Sequence, residues 1–210
     1  LIVADDLGYA DLSSYGGDIE TPNIDMLATN GLRFSSYHTA PSCAPTRAML
    51  LSGNDNHIAG MGMQDLITDT FGYEGQLSSR IATIPQVLRA SGYHTYMAGK
   101  WHLGKTKESN PFQKGFEHSF VLLNGAGNHY NDQGITKGDP ISQYTEDGKA
   151  IKWNNGDYST DFYTDKLIGY IDRHKEDKKP FFAFGAYTAP HWPLQVDEKY
   201  WKKYEGHYSD

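Results

Sequence analysis

Cysteine is nearly absent from this chain, with Cys43 the single one among 210 residues. One thiol excludes an intrachain disulfide framework, yet it does not separate an oxidising compartment from a reducing one, so localisation stays open. Long apolar runs are missing as well. The longest are strand-sized, which leaves no segment able to cross a bilayer as a helix. Basic stretches are missing too: 19 Lys and Arg stand against 26 Asp and Glu for a net charge of −7, which argues against a nucleic-acid partner. Internal repeats and low-complexity tracts are also lacking. What remains, 38% hydrophobic and 21% charged, describes an ordinary globular domain large enough for a real core.

The lone cysteine opens an informative run, Cys43-Ala44-Pro45-Thr46-Arg47-Ala48-Met49-Leu50-Leu51-Ser52-Gly53. Pro45 suits the first turn of a helix, Gly53 its end, and Ala48, Leu50 and Leu51 favour the turns between. Cys43 therefore falls at a helix N-terminus, where unpaired backbone N–H groups and the positive dipole end favour anionic oxygen. Arg47, one turn on, can fold back over the same spot.

Three more runs lie at the ends of expected strands. Leu1 to Gly8 reads as a buried parallel strand delivering Asp5 and Asp6 to its C-terminal end, where open α/β sheets place their ligands and where a hard divalent cation would find oxygen. Gly99-Lys100-Trp101-His102-Leu103-Gly104 follows a strand expected over Tyr93 to Ala98. Ala189-Pro190-His191-Trp192-Pro193 follows another over Phe181 to Tyr187. Helices are expected from Pro22 to Gly31, from Thr83 to Gly92, and from a cap at Ser159 through Tyr163, Leu167, Tyr170, Ile171 and His174, the last a packing or surface residue rather than a ligand. Asn124 to Asp157, rich in Gly, Asn, Asp and Tyr, reads as a long irregular loop and as the wall that would recognise a substrate. The whole is one α/β domain.

Cys-Ala-Pro-Thr-Arg with the apolar pair, Ser and Gly resembles the type I sulfatase signature, with Thr46 in place of the commoner Ser. The Gly99–Gly104 run resembles the family's second signature, and Pro190-His191-Trp192-Pro193 its Pro-His-x-Pro segment. Asn56-His57-Ile58-Ala59-Gly60 and Gly125-Ala126-Gly127-Asn128-His129-Tyr130 bring the chain nearest to bacterial arylsulfatases, and carry no chemistry legible from spacing.

The resemblance implies an alkaline-phosphatase-like fold with a largely parallel sheet flanked by helices, and an arylsulfatase-type hydrolysis of small-molecule sulfate monoesters, aryl sulfates first among them. It implies that Cys43 is converted to Cα-formylglycine by a formylglycine-generating maturation enzyme. Asp5, Asp6 and the modified residue 43 are then the metal ligands, for Ca2+ with Mg2+ as a substitute. Arg47, with the metal, would steady the nucleophilic hydroxyl, and Lys100 and His191 would hold sulfate, His191 also protonating the leaving alcohol. His102 would deprotonate the second hydroxyl to expel sulfate from the covalent sulfo-enzyme. The chain is expected to be residues 1–210 of the N-terminal part of that catalytic domain, cut at both ends: Leu1 lies inside the first expected strand with no initiating Met, and the family's later Asp-Asn metal pair and second sulfate-binding Lys do not occur in it. Alone it is expected to be inactive. The rival readings are a phosphonate or phosphate ester hydrolase of the same superfamily and a plain anion-binding module.

Overall fold

The computed structural model describes residues 1–64, 66–154 and 156–208. Its frame is a six-stranded sheet in the order β1 (Ile2–Asp5), β6 (Phe181–Pro190), β2 (His94–Lys100), β3 (His118–Leu122), β4 (Tyr144–Glu146), β5 (Lys149–Ile151). The first four strands run parallel, and the last two add antiparallel. Around it lie α1 (Pro22–Asn30), α2 (Cys43–Ser52), α3 (Ile84–Ala90), α4 (Ser159–His174) and the single turn α5 (Glu198–Trp201).

Side chains alternate across the sheet, and two cores result. On one face Met97, Val121, Phe184 and Ala186 pack with Ala44, Ala48 and Leu51 of α2 and with Trp101 and Phe116. On the other, Ala98, Phe120 and Leu122 pack with Tyr144, Trp153 and Tyr163 of α4. β2 is buried at every residue, as a strand covered on both faces must be. Within it Gly99 has φ +118°, and a Cβ there would lie 2.0 Å from the Ala186 carbonyl oxygen, so β2 and β6 can approach this closely only at a glycine.

Local chemistry sets the helix ends. Gly53 closes α2 in the left-handed conformation, its N–H donating to Met49 O. Thr83 and Gln86 form a reciprocal capping box on α3. Three expectations need correction. The first strand is not buried: β1 lies at the edge of the sheet, covered by β6 on one side only, with Ile2 and Ala4 exposed and Asp5 its one buried residue. The segment 124–157 is not irregular throughout: Asp147 and Gly148, both at positive φ, turn the hairpin β4–β5, which extends the sheet. Ser159 does not cap α4. The N-cap residue is Tyr158, and the Ser159 hydroxyl is drawn inward to His129.

Candidate active site

The parallel strands bring three of the four sequence runs to one edge of the sheet, and α2 brings the fourth. Asp5 ends β1 with Asp6 just beyond, Lys100 ends β2 with His102 just beyond, and His191 follows β6 directly. Among the described residues, two of the four non-glycine residues at positive φ, Asp6 at 62° and His102 at 57°, belong to this set, so backbone strain is concentrated at the edge.

Asp5 is buried, and a buried carboxylate needs positive partners. It has two: the Lys100 amine in a very short hydrogen bond and Arg47 Nη2 at 3.4 Å. Arg47 also donates from Nη1 to the Lys100 carbonyl at 2.9 Å, tying α2 to β2. Its Nε, though buried, has no hydrogen-bond partner, and Nη2 has only the ion pair. Such donors mark a place for an anion. Lys100 is thus turned onto Asp5 rather than onto an open anion site.

Cys43 is the first residue of α2 and half-buried, its Sγ 3.2 Å from both His102 Nδ1 and Gln64 Oε1. Burial, then the charges of Lys100 and Arg47, push the pKa of His102 down to about 3, so its imidazole is neutral near neutral pH. His191 donates from Nδ1 to the Trp192 carbonyl at 2.6 Å, which turns Nε2 toward Asp6 Oδ2, 3.5 Å away. Asp6 itself is exposed.

Cys43 stands where two cavities meet. The inner one, about 230 Å³, is lined by Asp5, Asp6, Cys43, Thr46 and Arg47. The outer, about 380 Å³, is lined by Cys43, Gln64, His102, Lys105, Asp139 and His191, with Trp192 at its rim. Part of the segment 124–139 forms its wall. A larger cavity, about 540 Å³, runs along the β4–β5 hairpin and contains none of the residues that the motifs single out. The Thr46 hydroxyl stays out of both networks, donating to the Ala40 and Ser42 carbonyls.

For a hard cation, Asp5 and Asp6 offer oxygen on adjacent residues at the rim of the inner cavity, and the unpartnered Arg47 donors lie beside them. The donor set fits such an ion and fills only part of the six to eight positions calcium takes. Among the described residues, the one trio of His and carboxylate donor atoms within 4.8 Å is elsewhere: His94, Glu117 and His174, where the parallel strands begin. There the His94 and His174 rings stack 4.3 Å apart and both His94 nitrogens face carboxylates, so protons already fill the positions a metal would need.

Sequence reasoning missed two residues of the site. Gln64 beside Cys43 lies in a stretch without periodicity. Gly125 packs on His102 so closely that a Cβ would fall 2.6 Å from the ring. The run beginning at Gly125 was the available signal for it.

A family model described as Sulfatase matches residues 1–210. An uncharacterized sulfatase of Schizosaccharomyces pombe is 44% identical over 100% of this chain and 40% of its own length. An arylsulfatase of Klebsiella aerogenes is 40% identical over 99% of the chain and 46% of its own. Among solved structures, Ps i-CgsB in complex with a neocarrahexaose superposes with a TM-score of 0.81 at 33% identity, covering 94% of this chain and 46% of that one. BT4656 in complex with its substrate D-glucosamine-2-N,6-O-disulfate does so at 0.74 and 28%, covering 97% and 36%. The chain spans less than half the length of these relatives. With a family match from end to end and the signature runs gathered around Cys43, this chain belongs to the sulfatase family.

Proposed function

We propose that the protein to which this chain contributes hydrolyses sulfate monoesters, aryl sulfates among them, with residue 43 as the nucleophile, and that residues 1–210 supply the N-terminal part of its catalytic domain. The observation that carries the reading is the setting of Cys43: at the start of α2, 3.2 Å from a neutral His102, beside an arginine with unspent donors.

Oxidation of Cys43 to Cα-formylglycine by a maturation enzyme would supply a hydrated aldehyde, with one hydroxyl to attack sulfur and a second to release sulfate. A divalent cation held by Asp5 and Asp6, calcium or magnesium, would supply positive charge beside the reacting oxygens. The chain's own groups do the rest. Arg47 Nε and Nη2 donate hydrogen bonds to the sulfate oxygens, and Lys100 adds charge once Asp5 turns to the cation. His191, oriented through Nδ1 by the Trp192 carbonyl, presents Nε2 to the departing alcohol oxygen and gives it a proton. His102 accepts the proton of the second hydroxyl at Nδ1, the atom now facing Cys43 Sγ.

The test is turnover by the full-length protein, produced with a formylglycine-generating enzyme, on 4-nitrophenyl sulfate and on a matched aryl phosphonate monoester. The proposal predicts higher kcat/KM on the sulfate and an aldehyde at position 43 that reacts with a hydrazine probe. A higher kcat/KM on the phosphonate, or turnover with an intact thiol, defeats it.

A further inference from the structure

Gly125-Ala126-Gly127-Asn128-His129-Tyr130, a run to which the chemistry above gives only Gly125 a place, ends behind His191. We propose that His129 is a positioning residue for His191: it clamps the main chain of the leaving-group acid from the buried side. The inference rests on the sulfatase reading and adds a residue to it.

His129 is 2% exposed, yet every polar atom of its ring has a partner. Nε2 lies 3.4 Å from the His191 carbonyl oxygen, and Nδ1 lies 2.7 Å from Ser159 Oγ. A carbonyl can only accept, so Nε2 carries the proton. Burial, and the charge His191 can carry nearby, disfavour a second ring proton, so Nδ1 is the acceptor and the Ser159 hydroxyl donates to it. The Thr188 hydroxyl, 3.4 Å from Nδ1, stands by the same lone pair. One tautomer is thus selected by the first residue of α4 and spent on His191.

The main chain of His129 is held as firmly. Its N–H donates to Gln195 Oε1 at 2.9 Å, and its carbonyl accepts from the Ser159 N–H at 2.7 Å. His191 is consequently fixed at three points. Its N–H donates to the Thr188 carbonyl at 3.0 Å, its own carbonyl is met by His129, and its ring is turned by the Trp192 carbonyl. A histidine that merely filled space would need neither the Ser159 hydroxyl nor the carbonyl. Proton transfer depends steeply on the distance and angle at the accepting oxygen, so a loosened His191 would fail first where the leaving group needs its proton.

The experiment compares the mature full-length enzyme with His129→Leu and His129→Gln on two esters. One is 4-nitrophenyl sulfate, whose phenolate leaves unaided. The other is phenyl sulfate, whose poorer leaving group needs protonation. For His129→Leu, kcat/KM on phenyl sulfate should fall roughly tenfold or more relative to 4-nitrophenyl sulfate. His129→Gln, whose amide N–H reaches the position of Nε2, should restore most of it. Equal loss on both esters, no loss, or no rescue overturns the inference. If His129→Leu does not accumulate as folded protein, Ser159→Ala replaces it, since it keeps the imidazole and removes the hydroxyl that fixes the tautomer. That variant should show the same leaving-group bias, and its absence overturns the inference equally. If the wild type cleaves 4-nitrophenyl sulfate without the bias appearing, the role of His129 alone is wrong. If it cleaves neither ester, the sulfatase reading falls with it.

Discussion

Cys43 Sγ and His102 Nδ1 face each other across 3.2 Å where two cavities meet. The imidazole is held neutral, its pKa pushed down to about 3 by burial and by the cations Lys100 and Arg47. In that state the ring is unprotonated near neutral pH and keeps a lone pair for the proton of a neighbouring hydroxyl.

His102→Ala should therefore block release rather than attack. Exposed to 4-nitrophenyl sulfate, the mature variant should yield about one equivalent of 4-nitrophenol and then stop, with a sulfated adduct on the Cys43 peptide by mass spectrometry. Cys43→Ser in a host that leaves serine unmodified should give no steady turnover. Loss of the burst in His102→Ala, with only weaker binding, would move His102 to the sulfate-holding groups.

The buried pair of Lys100 and Asp5 makes a stability prediction. Lys100→Met leaves Asp5 with Arg47 alone and should cost about 3–5 kcal/mol in chelator-treated protein, read by chemical denaturation. Asp5→Asn/Lys100→Met together should recover most of that loss. Calcium should recover part of it in the single variant and none in the double, and equal costs for single and double variants would contradict the pairing.

Metal removal gives a third prediction. Chelation of the full-length enzyme should lower kcat/KM on 4-nitrophenyl sulfate by about tenfold or more, with calcium or magnesium restoring it. Asp6→Asn should raise the calcium concentration needed for half-restoration, whereas Asp11→Asn, in the loop just beyond, should not.

At the far edge of the sheet, His94 predicts a pH dependence of stability. Its nitrogens lie 2.6 Å from Glu117 and 2.7 Å from Asp177, and hydrogen bonding to Glu117 raises its pKa in spite of burial. A raised native pKa contributes stability that is complete below the unfolded value of about 6.5 and is lost as pH rises through the native value. The carboxylates act in the opposite sense. Burial alone would raise Glu117, but the hydrogen bond from His94 Nδ1 wins and holds it low, and the separate bond from His94 Nε2 lowers Asp177, so their share is lost as pH falls through the native values. The contribution should peak between about pH 4.5 and 6.5. His94→Gln should flatten the pH dependence of Tm across that window, and an unchanged profile would rule this out.

Much of this was legible in the sequence because it is local. Pro22, Pro45 and Gly53 punctuate α1 and α2, and the apolar runs before Asp5, Lys100 and His191 announce β1, β2 and β6. β3 was passed over although Ser119-Phe120-Val121-Leu122 is a short apolar run. The Asp147-Gly148 turn of the β4–β5 hairpin was hidden among the Gly and Asn that made the segment look irregular. The site is legible in part for the same reason. Strand ends can be placed at one edge from topology alone, whereas Gln64 beside Cys43, Gly125 against His102 and His129 behind His191 are contacts between residues 21 to 62 positions apart, which no local pattern encodes.

The pairing of β1 with β6 also sets an order in time. Ile2 lies beside Gly185 and Asp5 beside Pro190, so β1 is seated by a strand made about 180 residues later, and the acidic pair cannot meet His191 until both exist. Between the emergence of Cys43 and that of β6 a ribosome adds about 150 residues, roughly 10–30 s at ordinary rates. Until Gln64 and His102 have been added, the signature run lacks the side chains that wall Cys43 in the fold. Afterwards Cys43 is half-buried, capped by a helix and walled by His102 and Gln64. Under the proposed conversion of Cys43, access to the thiol is greatest before these walls close, and slowing translation downstream of residue 53 should raise the fraction of chains that carry the aldehyde.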